Sequence, residues 1–239
     1  MDQIRNAAMG GLSYIKIKYK FGRTLVLAST VTNAEITELG GAYTGFNAVA
    51  AETISLVSSS ASDTAVYITI EGLDANYNEI SETVLLTGQT PKLTTLKFLR
   101  AARGYVAGAT ALVGNVTYKQ STTTANVFGI IYAVYGQTNI ACFTVPEGYN
   151  CLIFGIEIGM ARTGGAAGSA SVTLQRRNTG KAWRSFRTDA ITTSKGVSKE
   201  YAGGLVFPER CDIRARIIDI SDNTTYFTCE IEYALFKND

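Results

Sequence analysis

The chain contains no histidine among its 239 residues. This removes the side chain most used as a general base near neutral pH and the commonest metal ligand. Carboxylates are the remaining candidates for chemistry. Glycoside hydrolysis needs only two acids at a suitable separation, and Glu52, Asp63, Glu71, Glu79, Glu82, Asp189, Glu200, Glu209 and Asp212 could supply them. Several alternate with apolar residues or sit at turns, as solvated acids on a half-buried sheet do, so none is assigned a catalytic role. In Asp74-Ala75-Asn76-Tyr77-Asn78-Glu79, oxygen ligands fall at alternate positions, as in a loop that chelates calcium from one face. The glycine and distal glutamate of an EF-hand are missing. Asp and Asn also close tight turns on their own backbone, so a hairpin between Ile70 and Ile80 is expected, with calcium as the alternative.

A second group is basic and aromatic. Gln175-Arg176-Arg177 and residues 181–187, with Trp183 and Phe186 among the charges, could stack single-stranded bases. Neighbouring strand residues point to opposite faces, so Trp183 and Phe186 cannot share one regular strand face, and a solvated hairpin is expected. Trp183 alone could offer a sugar an aromatic platform. The pairs Gly10-Gly11, Gly40-Gly41, Gly164-Gly165 and Gly203-Gly204 do not follow a strand and open a helix, as a phosphate loop must. Cys142, Cys151, Cys211 and Cys229 are spaced unlike zinc-binding CxxC pairs, and three lie in apolar runs. They are expected to be free and buried. No catalytic, cofactor-binding or metal-binding residue is assigned, and the chain is expected not to be an enzyme.

Twenty-two Lys and Arg against twenty Asp and Glu leave a formal charge of +2, too small a field to draw in nucleic acid or an anionic membrane. Met1-Asp2-Gln3-Ile4-Arg5 lacks the basic start and apolar stretch of a signal peptide, and no run reaches membrane-spanning length. A product soluble in the cytoplasm where it is made is expected.

The elements that must position these residues are strands. Polarity alternates with a period of two over residues 14–19, 23–31, 53–57, 66–70 and 82–86. Further runs cover 97–101, 113–119, 127–135, 140–145, 152–160, 171–177, 182–188, 213–218 and 226–235. Breakers separate them at Asn178-Thr179-Gly180, Val145-Pro146-Glu147-Gly148 and the small-residue loop 159–168. Residues 3–9 and 33–39 could each make only a short helical turn. The pattern predicts an all-β chain, an antiparallel β-sandwich or jelly-roll-like fold in two lobes. The polar stretch 121–126 is the expected boundary, giving an N-terminal arm or short helix at 1–12 and sandwich lobes at 13–120 and 127–239. Thirteen Tyr and ten Phe exceed what a small core requires and favour subunit contacts.

One long segment, from Ser60-Ala61-Ser62-Asp63-Thr64-Ala65 through Glu71-Gly72-Leu73-Asp74-Ala75-Asn76 to Thr87-Gly88-Gln89-Thr90-Pro91, resembles a pattern in virion structural proteins of tailed bacteriophages. Phe98-Leu99-Arg100, Arg103-Gly104-Tyr105-Val106 and Val145-Pro146-Glu147-Gly148-Tyr149 are similar to that group as well. Together they span about half the chain. The resemblance implies a β-rich, multi-copy building block of a head or tail, with no family active site to carry over. It places the protein in the virion as a homo-oligomer, made in the host cytoplasm. Its partners would be other virion proteins, either the major capsid protein or tail proteins. Capsid decoration is the leading expectation, followed by a tail, adaptor or fibre-associated role and then by a carbohydrate-binding module.

Overall fold

The computed structural model describes residues 14–39, 43–163 and 167–238. The expected arm at 1–12, the turn at 3–9 and the glycine pairs 10–11, 40–41 and 164–165 lie outside the described residues. Within them the fold is all-β and built of antiparallel sheets. In chain order the strands are β1 (Ile15–Arg23), β2 (Ala34–Glu35), β3 (Glu52–Ser58), β4 (Tyr67–Leu73), β5 (Glu79–Leu85), β6 (Lys92–Phe98), β7 (Arg100–Ala107) and β8 (Val116–Gln120). They continue as β9 (Val127–Ile131), β10 (Cys142–Thr144), β11 (Tyr149–Arg162), β12 (Ser169–Arg177), β13 (Arg184–Thr192), β14 (Val197–Phe207), β15 (Asp212–Ile220) and β16 (Thr225–Lys237). Among the described residues no helix is long and apolar enough to cross a membrane.

The chain divides into two compact units, but not at its middle. Residues 42–140 form one, and residues 1–41 with 141–239 form the other. The stretch 121–126, expected as the boundary, is instead the turn of a hairpin. β8 and β9 pair across it, and the Gln120 N–H donates to the Asn126 carbonyl at 3.1 Å. Lobes at 13–120 and 127–239 are therefore not the division observed. The reason is pairing: a period of two tells which residues face a core, but not which strand lies alongside.

In the outer unit the ladders are nested. β1 pairs with β16, β10 with β15, β11 with β14 and β12 with β13, all antiparallel. That is one long antiparallel ribbon folded about the β12–β13 hairpin. Rolled up, it places alternate pairs in opposed sheets, β1-β16-β11-β14 and β10-β15-β12-β13, which is a jelly roll. Between the sheets lie Ile153, Ile156, Ile158, Val172, Leu174, Ile213, Ile217, Phe227 and Ile231, each at most 2% exposed. Burying one such side chain contributes about 1.5–3 kcal/mol.

The other unit interrupts an edge strand of this roll. β2 and β10 both lie along β15, with Glu35 opposite Arg216 and Cys142 opposite Arg214. Between them the Ala141 N–H donates to the Ile36 carbonyl at 2.9 Å, while Ile36 and Ala141 both bond to Ala215. The insertion thus leaves and rejoins the sheet one hydrogen bond apart. β1 passes close over this junction: a Cβ on Gly22 would lie 2.3 Å from the Ala141 nitrogen, so only glycine fits there. Residues 33–39, expected as a helical turn, instead contain β2. Asn33, at φ 58°, turns the chain onto the β15 edge, where ladder bonds are available.

The inserted unit packs the sheet β6-β3-β8-β9 and the sheet β5-β4-β7 around Ile54, Leu56, Ile68, Ile70, Phe98, Phe128 and Ile131, all fully buried. Among the described residues its strands pair only with one another. A fragment of residues 42–140 is therefore expected to fold alone, giving a β-type circular dichroism spectrum and dispersed amide resonances. A fragment of residues 127–239 lacks β1 and β2 and is expected to give neither.

Candidate interaction surface

The outward face of the β1-β16-β11-β14 sheet is set by the register of its strands. Phe227, Cys229, Ile231, Tyr233 and Leu235 of β16 fill the core, so the alternate residues Thr228, Glu230, Glu232 and Ala234 lie on the other face of the strand, where Ala234 is itself fully buried. Residues directly opposite across a ladder share a face, which defines three rows across the sheet. One is apolar: Ile17, Ala234, Leu152 and Val206. The next is Tyr19, Glu232, Gly155 and Glu200, and the third Phe21, Glu230, Glu157 and Ser198. Tyr19 is 63% exposed, Phe21 41% and Val206 67%.

Four carboxylates, those of Glu157, Glu200, Glu230 and Glu232, therefore converge on one face of a chain whose net charge is +2. Burial, followed by the charges of Glu230, Glu200 and Glu157, raises the pKa of Glu232 above the usual carboxylate range. The side chain rests on Gly155, where a Cβ would lie 2.4 Å from its Oε2. β1 is an edge strand, and Lys16, Lys18 and Lys20 alternate along it. Lysines on an edge discourage indiscriminate strand pairing, and the Lys16 ammonium lies 4.5 Å from the centre of the Tyr149 ring.

The outward face of the opposite sheet carries the basic and aromatic group. Arg214 donates to Glu35 at 2.6 Å and to Gln175 at 2.7 and 3.0 Å. Arg177 donates to Asp212 at 2.6 Å, and Asp212 also accepts from the Thr144 hydroxyl. The Trp183 ring lies over both guanidiniums, 3.8 Å from that of Arg214 and 4.6 Å from that of Arg177, a cation–π arrangement. Phe186 instead packs on the core residue Phe207, ring centres 5.0 Å apart. The two aromatics thus have separate surroundings, Trp183 just before β13 and Phe186 at the irregularity of its ladder with β12.

No family model matches the sequence, and no curated protein matches it. Among solved structures, the crystal structure of the infectious bursal disease virus VP2 subviral particle aligns at 8% identity and a TM-score of 0.22, over 99% of this chain and 78% of that one. A structure of the Gt strain of that virus aligns at 9% identity and a TM-score of 0.21, over 95% and 78% of the two chains. Likeness at this level carries no argument about function.

The other residues singled out from sequence are tied into the fold. Asp74 Oδ1 accepts the amide N–H groups of Asn76 and Asn78 at 2.8 and 2.9 Å, and its other oxygen accepts from the Asn78 side chain. The segment is the expected hairpin between β4 and β5, its carboxylate turned onto its own backbone. Glu52 accepts from Thr122 and Thr123, Glu82 from Thr95 and Leu96, and Glu209 from Gly148 and Asn238. Glu71 pairs with Arg103, and Asp189 with Arg187. Of the nine acids considered for hydrolysis, only Glu200 joins the acidic face. Glu157, Glu230 and Glu232 were legible only as polar positions alternating in two apolar runs. All four cysteines are free and buried, and burial pushes Cys211 up to about 11 and Cys229 to about 12. Among the described residues no group of three or more acids and cysteines could hold a metal ion.

Proposed function

We propose that this protein is a non-enzymatic structural component of a bacteriophage particle, a capsid accessory protein of the decoration or cement type that acts through subunit contacts. The observation that carries this reading is the outward face of the β1 sheet. The exposed side chains of Tyr19, Phe21 and Val206 and four carboxylates lie together on paired strands, a combination suited to docking rather than to turnover. The tailed-phage resemblance over residues 60–91 supports the virion setting. The jelly roll supports it only as an analogy of fold, because the same architecture serves viral shells and lectins. The carbohydrate-binding reading draws less support, since the Trp183 ring is already engaged by Arg177 and Arg214. Bound to a shell, the protein would stabilise it by linkage, by about 2.7 kcal/mol per site at a hundredfold excess over Kd.

The test is quantitative mass spectrometry of purified particles made with the native chain and with a Tyr19→Ser/Phe21→Ser variant. Both side chains point outward, so the variant should fold. The native chain is expected in hundreds of copies and the variant at least tenfold lower. A handful of copies per particle would move the protein to the tail or a vertex. Absence would remove the virion reading.

A further inference from the structure

The β12–β13 turn holds three cations in a depression of about 220 Å³, lined by Arg176, Asn178, Lys181, Ala182 and Arg184. Two observations set this place apart from ordinary surface charge. First, Arg176 and Arg184 are direct partners in the β12–β13 ladder, and like charges directly opposite each other on antiparallel strands destabilise the pair. Second, the nearby carboxylates are already committed: Asp212 to Arg177, Asp189 to Arg187, Glu147 to Arg210, and Glu209 to Gly148 and Asn238. Every other arginine of this hairpin has an acid, whereas the three cations around the depression make no ion pair with a described residue.

We infer that this depression binds a single tetrahedral oxyanion, a phosphate or a sulfate group. Its volume is below that of pockets for drug-sized ligands and suits one such group with its waters. The cross-strand arginines would grip it from two sides, since a guanidinium fork matches the oxygens of a phosphate or sulfate. Lys181 would add a point charge from the turn, and the exposed Asn178 amide a neutral donor. The bound anion would replace the Arg176–Arg184 repulsion with two attractions, so occupancy and hairpin stability are coupled. Trp183 does not line the depression, and this site is independent of the outward face assigned to subunit contacts.

The test titrates the full chain by calorimetry with inorganic phosphate and, separately, with glucose 6-sulfate. It also follows the melting temperature at each ligand concentration. Saturable binding is expected with Kd near or below the millimolar range, with at least a tenfold loss in Arg184→Gln and in the turn variant Lys181→Gln. Without anion, Arg184→Gln is expected to melt above the native chain, because it removes the repulsion, and to gain little from added phosphate. A general salt effect would raise native chain and variants alike. Saturation by the sugar sulfate would assign the site to an ester group on a larger molecule, and saturation by phosphate alone to the free ion. Equal binding by both variants and the native chain, or no saturation with either ligand, would overturn the inference.

Discussion

Replacing Glu35 with alanine is expected to cost about 3–5 kcal/mol, the loss usual when one partner of a buried ion pair is removed. Glu35 is 5% exposed and Arg214 9%, and they meet at 2.6 Å, with Arg216 a further 3.7 Å contact. Without the carboxylate, Arg214 would keep its bond to Gln175 and its place under the Trp183 ring, but its charge would be left without a counter-ion. Burial already disfavours the charged form of Arg214, with the Glu35 charge opposing that effect. The double variant Glu35→Leu/Arg214→Met should recover much of the loss, because two apolar side chains of similar size remove the desolvation penalty together with the attraction. Urea unfolding of the full chain measures both. A single-variant loss under about 1 kcal/mol, the range of exposed pairs, would mean that the pair is solvated and that β2 does not close the sheet edge.

Asp63 should give the second large effect, this time in the inserted unit. Its side chain accepts from the Ser58 hydroxyl at 2.6 Å and from the amide N–H groups of Val113 and Gly114 at 2.9 and 3.0 Å, in a residue that is 1% exposed. Alanine would leave two backbone N–H donors unpartnered, at about 1–3 kcal/mol each, and would remove the acceptor of the Ser58 O–H, whose oxygen keeps the Ser60 N–H, so a total loss of several kcal/mol is expected. Burial by itself raises the Asp63 pKa, but the three donors outweigh it and hold the carboxyl below its usual value. A depressed folded pKa means that this stabilisation is fully present above the unfolded value near 3.9. It is lost as pH falls through the lower folded value. Asp63→Asn should therefore flatten the acid limb of the stability curve. The isolated fragment 42–140 should show the same losses as the full chain.

Most of the strands were legible as alternation, and the reason is visible in β16. Its core-facing Phe227, Cys229, Ile231, Tyr233 and Leu235 leave Glu230 and Glu232 outward, so one-sided burial writes itself into the order of residues. β14 was not legible, because it is an edge strand carrying Gly203-Gly204 and its exposed residues have little to alternate with. The run 23–31 alternates, yet after Arg23, which ends β1, the described residues form only an isolated bridge, Leu27 to Thr225, since no neighbour continues beside it. Residues 161–162 look like loop but extend β11, because Thr225 and Tyr226 of β16 supply partners. The interaction face was illegible for a related cause. It is assembled from β1, β11, β14 and β16 through their register, which depends on partners distant in the chain, from Glu157 opposite Ser198 to Ile17 opposite Ala234.

The nesting of the roll also sets a clock on its manufacture. Arg23 of β1 pairs with Thr228 of β16, so the first strand waits about 200 residues for its neighbour, roughly 10–40 s at ordinary rates of synthesis. The inserted unit closes on itself within residues 42–140, and so it can fold on the ribosome while β1 remains single. Throughout that interval Tyr19 and Phe21 are presented to other nascent chains, interleaved with Lys18 and Lys20. Charges placed in this way keep a waiting strand from pairing with its copies. Lysine-to-threonine changes along β1 would therefore be felt as lower yield of soluble chain before they were felt as lower stability.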